Sequence, residues 1–286
     1  MLFDPKHDFL IGIDSDGCVF DSMEVKQIQH FHPLIIKHWN LRVHEAEVRA
    51  VAQYVNLRSP WRGSNRFIAL LKTFEFLQEW SSRRNLNIPV PPFQDLQNWI
   101  ESGETLNNDC LETLAKASPE LAAVLKWSRA VNADIASRMI PIPPFDGAAD
   151  ALTLFHARAD TVVISLTPVD ALEHEWSTHG LRWDVDAILG QEWGTKPEQI
   201  RLALSQKNYD PDKVLILGDA PGDLKAARET GVCFYPIIPG RETDCWHRLL
   251  AEDMDRFFRG QYRGKIETAS IAEFEAVLNH PPPWEI

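Results

Sequence analysis

Residues 11–23, IGIDSDGCVFDSM, decide the fold: the apolar run Ile11 to Ile13 leads straight into two carboxylates, Asp14 and Asp16, in a loop that carries Gly17. Carboxylates are rarely buried without partners, and the carboxyl end of a strand is where open α/β sheets collect ligands. The stretch therefore reads as a buried strand that ends at a reactive site. The pattern recurs at residues 213–227, KVLILGDAPGDLKAA, where Val214 to Leu217 are followed by Gly218, Asp219 and Asp223. Two strand ends thus present acidic groups.

Between them, TVVISLTP (161–168) ends a third apolar run at Ser165, and GTKPEQI (194–200) offers Lys196 just before a proline-led helix start. The order is Asp-x-Asp, Ser, Lys, then Asp-x-x-x-Asp. It resembles the four-motif signature of the haloacid dehalogenase-like superfamily of hydrolases, most of which are phosphatases.

Along the chain, more than a hundred residues after the first strand show apolar residues at helical three- and four-residue spacings. The helix candidates are 23–39, 44–55, 64–80, 93–102, 106–117 and 119–139. The proline-rich IPVPPF (88–93) reads as a rigid connection among them, and PIPPFDG (141–147) marks the exit. From Gly147 onward helix and strand patterns alternate, which predicts a parallel sheet covered by helices. The fold class is α/β: a Rossmann-like core from residues 1–21 and 142–286, with a helical domain, 22–141, inserted after the first strand. The resemblance implies that this insert is a cap. It is longer than caps of the sugar-phosphomutase type.

Composition bounds the partners. The 286 residues carry a formal charge of -12 and 44% hydrophobic residues, as expected of a globular chain without the basic face that nucleic acid or an anionic membrane needs. No apolar run approaches the roughly 20 residues needed to span a bilayer, and no signal-peptide pattern opens the chain. Cys18, Cys110, Cys233 and Cys245 lack paired close spacing, so neither a disulfide framework nor a thiolate zinc site is indicated. These features together point to the cytoplasm; the oligomeric state stays open.

The resemblance assigns chemistry to the motifs. Asp14 would be the nucleophile that forms an aspartyl phosphate, and Asp16 the acid and base that protonates the leaving oxygen and later activates water. Asp16 favours phosphate-ester chemistry over dehalogenation, because a halide leaving group needs no acid. The residue-level alternative is that Asp16 caps its loop. Ser165 would hydrogen-bond a phosphoryl oxygen, with Thr167 as its rival; Lys196 would pair with nucleophile and phosphate, or else be a solvated helix-start lysine. Magnesium (Mg2+) is the implied cofactor, held by Asp14, Asp219, the backbone carbonyl of Asp16, and Asp223 directly or through water. Asp223 also suits the N-terminal cap of the following helix. Cys18 replaces the threonine more usual in the family and is expected to pack as a neutral thiol.

In the insert, LRSPWRGSNRF (57–67) resembles the Gly-x-x-Arg specificity loop of mutase-like caps. Gly63 would allow a tight backbone, and Arg62 and Arg66 would grip an anionic or hydroxylated leaving group; solvated arginines are the alternative. His30 and His32, two residues apart on a helix, do not face one another and are not expected to bind metal. The expected function is magnesium-dependent hydrolysis of a small phosphorylated metabolite. An intramolecular phosphomutase would use the same groups, and a phosphometabolite-binding protein without turnover is the reading from a different class.

Overall fold

The computed structural model describes residues 2–282 and 284–285. Five strands, β1 (Leu10–Ile13), β2 (Asp160–Ile164), β3 (Ala187–Leu189), β4 (Val214–Gly218) and β5 (Cys233–Pro236), form one sheet in the order β3-β2-β1-β4-β5. Every pairing is parallel, and every strand residue is buried. That explains the continuous apolar runs: a strand covered on both faces has no solvent side to alternate with. The helices Val169–Thr178, Lys196–Leu204 and Pro221–Thr230 each connect one strand to the next in sequence, as parallel pairing requires.

Register does the positioning. Leu10 lies opposite Asp160 on one side and Val214 on the other, so Ile13 is level with Val163 and Leu217. The residues that follow therefore emerge at one edge of the sheet. The Asp14 N–H donates to the Leu217 carbonyl at 3.0 Å and the Ser165 N–H to the Leu189 carbonyl at 3.0 Å, extending the ladder by one residue at each motif. At the amino end of β2, the buried Asp160 has a structural role, accepting from Lys6 N at 2.8 Å and Tyr209 Oη at 2.7 Å.

Contacts divide the chain into two compact units: Met1–Met23 with Pro141–Leu278, and Glu24–Ile140 with Asn279–Ile286. The first contains the sheet. It also holds a helix that the sequence reading did not assign, Lys265–Leu278, whose Phe274 meets Phe234 of β5 at 5.9 Å between ring centroids. The described residues after Leu278 group with the helical unit. Trp284 stacks on Trp80 at 5.2 Å and 16° and meets Tyr54 edge-on at 5.5 Å, while the Tyr54 hydroxyl donates to the His280 carbonyl at 3.2 Å. Burying a large aromatic outweighs proximity along the chain.

The second unit is helical: after Ser22–Lys26 come a π turn, Gln27–Phe31, and the helices His32–His38, Glu45–Leu57, Arg66–Arg84, Gln94–Glu101, Asn108–Leu114 and Pro119–Arg138. The π turn immediately precedes Pro33, which lacks an N–H and crowds the previous turn; a wider turn accommodates both defects. Among the described residues, no helix is long and apolar enough to cross a membrane.

Two expectations follow. Gly218 closes β4 where Asp223 folds back on it: a Cβ there would overlap the Asp223 Cβ and Cγ and lie 2.6 Å from Oδ2. Gly218→Ala should displace that carboxylate and lower unfolding free energy by about 1–3 kcal/mol in urea denaturation. His32 is buried in the helical unit, with Nε2 lacking a hydrogen-bond partner among the described residues; burial, with Arg49 adding to it, pushes its pKa down to about 3. The folded state therefore refuses a proton that the unfolded chain accepts below about pH 6.5. The corresponding stability is complete above that value and lost as pH falls towards about 3, at up to about 1.4 kcal/mol per pH unit. In urea unfolding over a pH series, His32→Leu should flatten that slope.

Candidate active site

The carboxyl edge of the sheet gathers the core motifs. Asp14, Asp219 and Asp223, all buried, each offer a carboxylate oxygen, and these oxygens lie within 4.8 Å of one another. Lys196 bridges two of them, its Nζ 3.0 Å from Asp14 Oδ2 and 2.5 Å from Asp223 Oδ1. Burial pushes the Asp14 carboxyl well above the ordinary range; Lys196 opposes this, and the Asp223 and Asp219 charges reinforce it. For Lys196, burial works against the charged form, yet its two carboxylates outweigh burial and hold the proton firmly.

A divalent cation with hard oxygen ligands fits three converging carboxylate oxygens, since Mg2+ and Ca2+ both prefer carboxylates. The donor set contains oxygen alone, so thiolate- or imidazole-seeking metals do not fit it.

Asp223 uses both carboxylate oxygens within the protein. Its Oδ1 pairs with Lys196, while Oδ2 accepts the Ala220 N–H at 3.1 Å at the start of Pro221–Thr230. Asp16, two residues beyond Asp14, is held by hydroxyls: Ser22 Oγ donates to Oδ1, and Thr167 Oγ1 donates to Oδ2 at 2.8 Å. Thr167 and Ser165, rivals in the sequence, therefore do different things. Ser165 is buried and its Oγ accepts the Thr167 N–H at 3.2 Å.

The loop between the acids turns on Gly17, whose φ of 83° is a conformation that favours glycine. The Ser15 carbonyl gathers the N–H groups of Cys18, Val19 and Phe20 at 3.0–3.3 Å. The Cys18 thiol is fully buried, and burial, followed by the Asp14, Asp219 and Asp223 charges, pushes its pKa well up. It is neutral, as a packed core residue.

Sequence reasoning missed several supporting residues. Ser22 sits where the core was expected to give way to the insert, and no local pattern links it to Asp16. Gln199 is fully buried and its Nε2 reaches three carbonyls, Ser165 at 2.9 Å, Gly190 at 3.0 Å and Gly194 at 3.0 Å. It ties the loop after β2 to the loop that delivers Lys196. A buried amide three residues after the lysine was the only available signal, and it is a weak one.

Arg62, Gly63 and Arg66 belong to the helical unit. Arg62 is buried, and its Nη1 donates to the Leu57 carbonyl at 3.0 Å. Gly63 adopts φ 69°. Arg66 donates through Nη1 to the Ser128 carbonyl, Ser128 Oγ and Asn132 Oδ1, at 3.3, 3.2 and 2.6 Å, and its guanidinium lies 5.2 Å from the Phe31 ring centroid. All three oxygen acceptors are neutral. His30 Nδ1 pairs with Asp134 at 2.7 Å within the same unit.

The family model for haloacid dehalogenase-like hydrolases matches residues 100–237, a span that contains Ser165, Lys196, Asp219 and Asp223. No curated protein matches the sequence. Among solved structures, a candidate haloacid dehalogenase-like hydrolase from Bacteroides fragilis superposes with TM-score 0.53 at 15% identity, covering 84% of this chain and 93% of that one. A haloacid dehalogenase-like family hydrolase from Streptococcus pneumoniae gives 0.43 at 14% identity, covering 83% and 90%. A candidate phosphoglycolate phosphatase from Haemophilus somnus gives 0.45 at 13%, covering 85% and 97%. The Bacteroides structure shares the fold described above. Its parallel sheet, its four motifs in order and the family match across three of them together support placing the chain with the haloacid dehalogenase-like hydrolases.

Proposed function

We propose that this chain hydrolyses a small phosphate monoester through an aspartyl phosphate formed on Asp14, with magnesium as its metal. The observation that carries the reading is the pair of aspartates with divided surroundings: Asp14 bonded to Lys196, and Asp16 held by two hydroxyls. A dehalogenase needs the first and has no use for the second.

Asp14 attacks phosphorus as the bond to the leaving oxygen breaks, and Asp16 supplies the proton that oxygen needs. Asp16 then takes a proton from water, which attacks phosphorus and breaks the bond to Asp14. Inorganic phosphate leaves and both carboxyl groups return to their starting states. Hydroxyls can donate or accept, so Ser22 and Thr167 can hold Asp16 in either protonation state. Lys196 offers a fixed positive charge to the transferring group, and the Ser165 hydroxyl offers a hydrogen bond to it. Asp14, Asp219 and Asp223, with the Asp16 carbonyl, would hold magnesium, which when bound neutralises charge on phosphoryl oxygens.

In the helical unit, Arg66 supplies a guanidinium held by neutral acceptors, which we assign to an anionic or hydroxylated group of the substrate. Four free thiols fit a reducing, cytoplasmic setting.

The test is phosphate release from a panel of sugar phosphates, phosphoglycolate, nucleotides and an aryl phosphate, with and without magnesium. Release should require the metal and vanish in Asp14→Asn, and Asp16→Asn should lower kcat by about 10²–10⁴-fold. Metal-independent release, or full activity in Asp14→Asn, would overturn the reading. An isomerised phosphosugar without free phosphate would identify a mutase instead.

A further inference from the structure

Two tryptophans reach the acidic loop from behind. Trp246, on the helix Glu242–Arg248, donates its indole N–H to the Cys18 carbonyl at 3.0 Å. Trp176, on the helix Val169–Thr178, donates to Ser15 Oγ at 3.0 Å and meets the Phe20 ring edge-on at 5.8 Å. Both indoles are fully buried. Their targets flank Asp16 and Gly17, the part of the loop whose direction decides where the second carboxylate points.

These bonds are not a by-product of burying tryptophan. Trp99, Trp127 and Trp284 are also buried, and their Nε1 atoms have no hydrogen-bond partner among the described residues. Burial alone therefore does not force an indole in this chain to find an acceptor, yet Trp246 and Trp176 both find one, and on the same seven-residue loop, Asp14 to Phe20. Trp246 is itself firmly seated. The Tyr235 hydroxyl donates to the carbonyl of neighbouring Cys245 at 2.9 Å, and the Ile238 N–H approaches the Cys245 Sγ at 3.3 Å, so the helix is tied to β5 and the segment after it.

We propose that Trp246 and Trp176 are positioning residues that clamp the Asp14–Phe20 loop and thereby aim Asp16; the catalytic consequence rests on the phosphatase reading above. The helix Glu242–Arg248 acquires a function through this bond. A carbonyl held at Cys18 and a hydroxyl held at Ser15 leave the peptide units around Gly17 little room to turn, and misplacement of a reacting group by about 1 Å can cost about 10²-fold in rate.

Trp246→Phe keeps the aromatic packing and removes the N–H; Trp176→Phe does the same at the other contact. Hydrogen exchange should quicken at least about tenfold at the amides of Gly17 to Phe20 in either variant, with β1 and β4 unchanged. With magnesium and p-nitrophenyl phosphate, kcat should fall at least about tenfold while KM stays within about threefold, the split expected of lost transition-state alignment. Unchanged loop exchange, or faster exchange spread equally over β1 and β4, would overturn the clamp. Exchange needs no turnover, so it decides the clamp even if the unmodified protein released no phosphate, an outcome that would count against the proposed reaction alone.

Discussion

Burying Asp14, Asp219 and Asp223 side by side at the end of one sheet is an electrostatic strain that the surrounding structure is built to hold. The attraction of Lys196 for Asp14 at 3.0 Å is about 5 kcal/mol at an effective dielectric of about 20. Taking a single ion out of water costs several kcal/mol. One lysine can therefore offset about one carboxylate, and it is divided between two. Three carboxylates converging at this edge are the physical basis for proposing a divalent cation there, and that cation together with Lys196 would let an acidic protein accept an anionic substrate, because the field at the site is set locally.

Holding that arrangement depends on backbone geometry more than on side-chain reach. The parallel register of β1 with β2 and β4 sets the levels of Asp14, Ser165 and Asp219. Lys196 comes from the following helix, and its approach is governed by Gln199, which joins the Ser165 loop to the loop before the lysine. Glu198 accepts the Thr195 N–H at 2.7 Å, fixing where the helix begins. The lysine is thus delivered by a capped helix start rather than by a flexible arm. Behind the acidic loop, two indole N–H groups supply further restraint, so three separate elements fix the geometry of two adjacent aspartates.

Much of this was legible in the amino-acid order. Strands buried on both faces are written as unbroken apolar runs, and a polar residue directly after each run is forced to the sheet's carboxyl edge; Asp14, Ser165 and Asp219 could be found that way. Asp223 was legible as a cap, and its Oδ2 accepts the Ala220 N–H as one, while the pairing of Oδ1 with Lys196 was not foreseen. What stayed hidden was contact across long separations. Thr167 and Asp16 are 151 positions apart, and Trp246 and Cys18 are 228 apart; no periodicity encodes such pairings. The stacking of Trp284 on Trp80 was likewise hidden, because a short tail has no pattern of its own.

The central claim is a covalent bond between Asp14 and phosphorus. It is tested most directly by quenching the protein during steady turnover of an aryl phosphate and reducing it with borohydride, which converts an acyl phosphate to an alcohol. Mass spectrometry of the peptide spanning residues 9–20 then gives the answer. Conversion of Asp14 to homoserine, dependent on substrate and absent at Asp16, is the predicted result. Turnover with Asp14 unmodified, or with reduction at another carboxylate, would contradict the account.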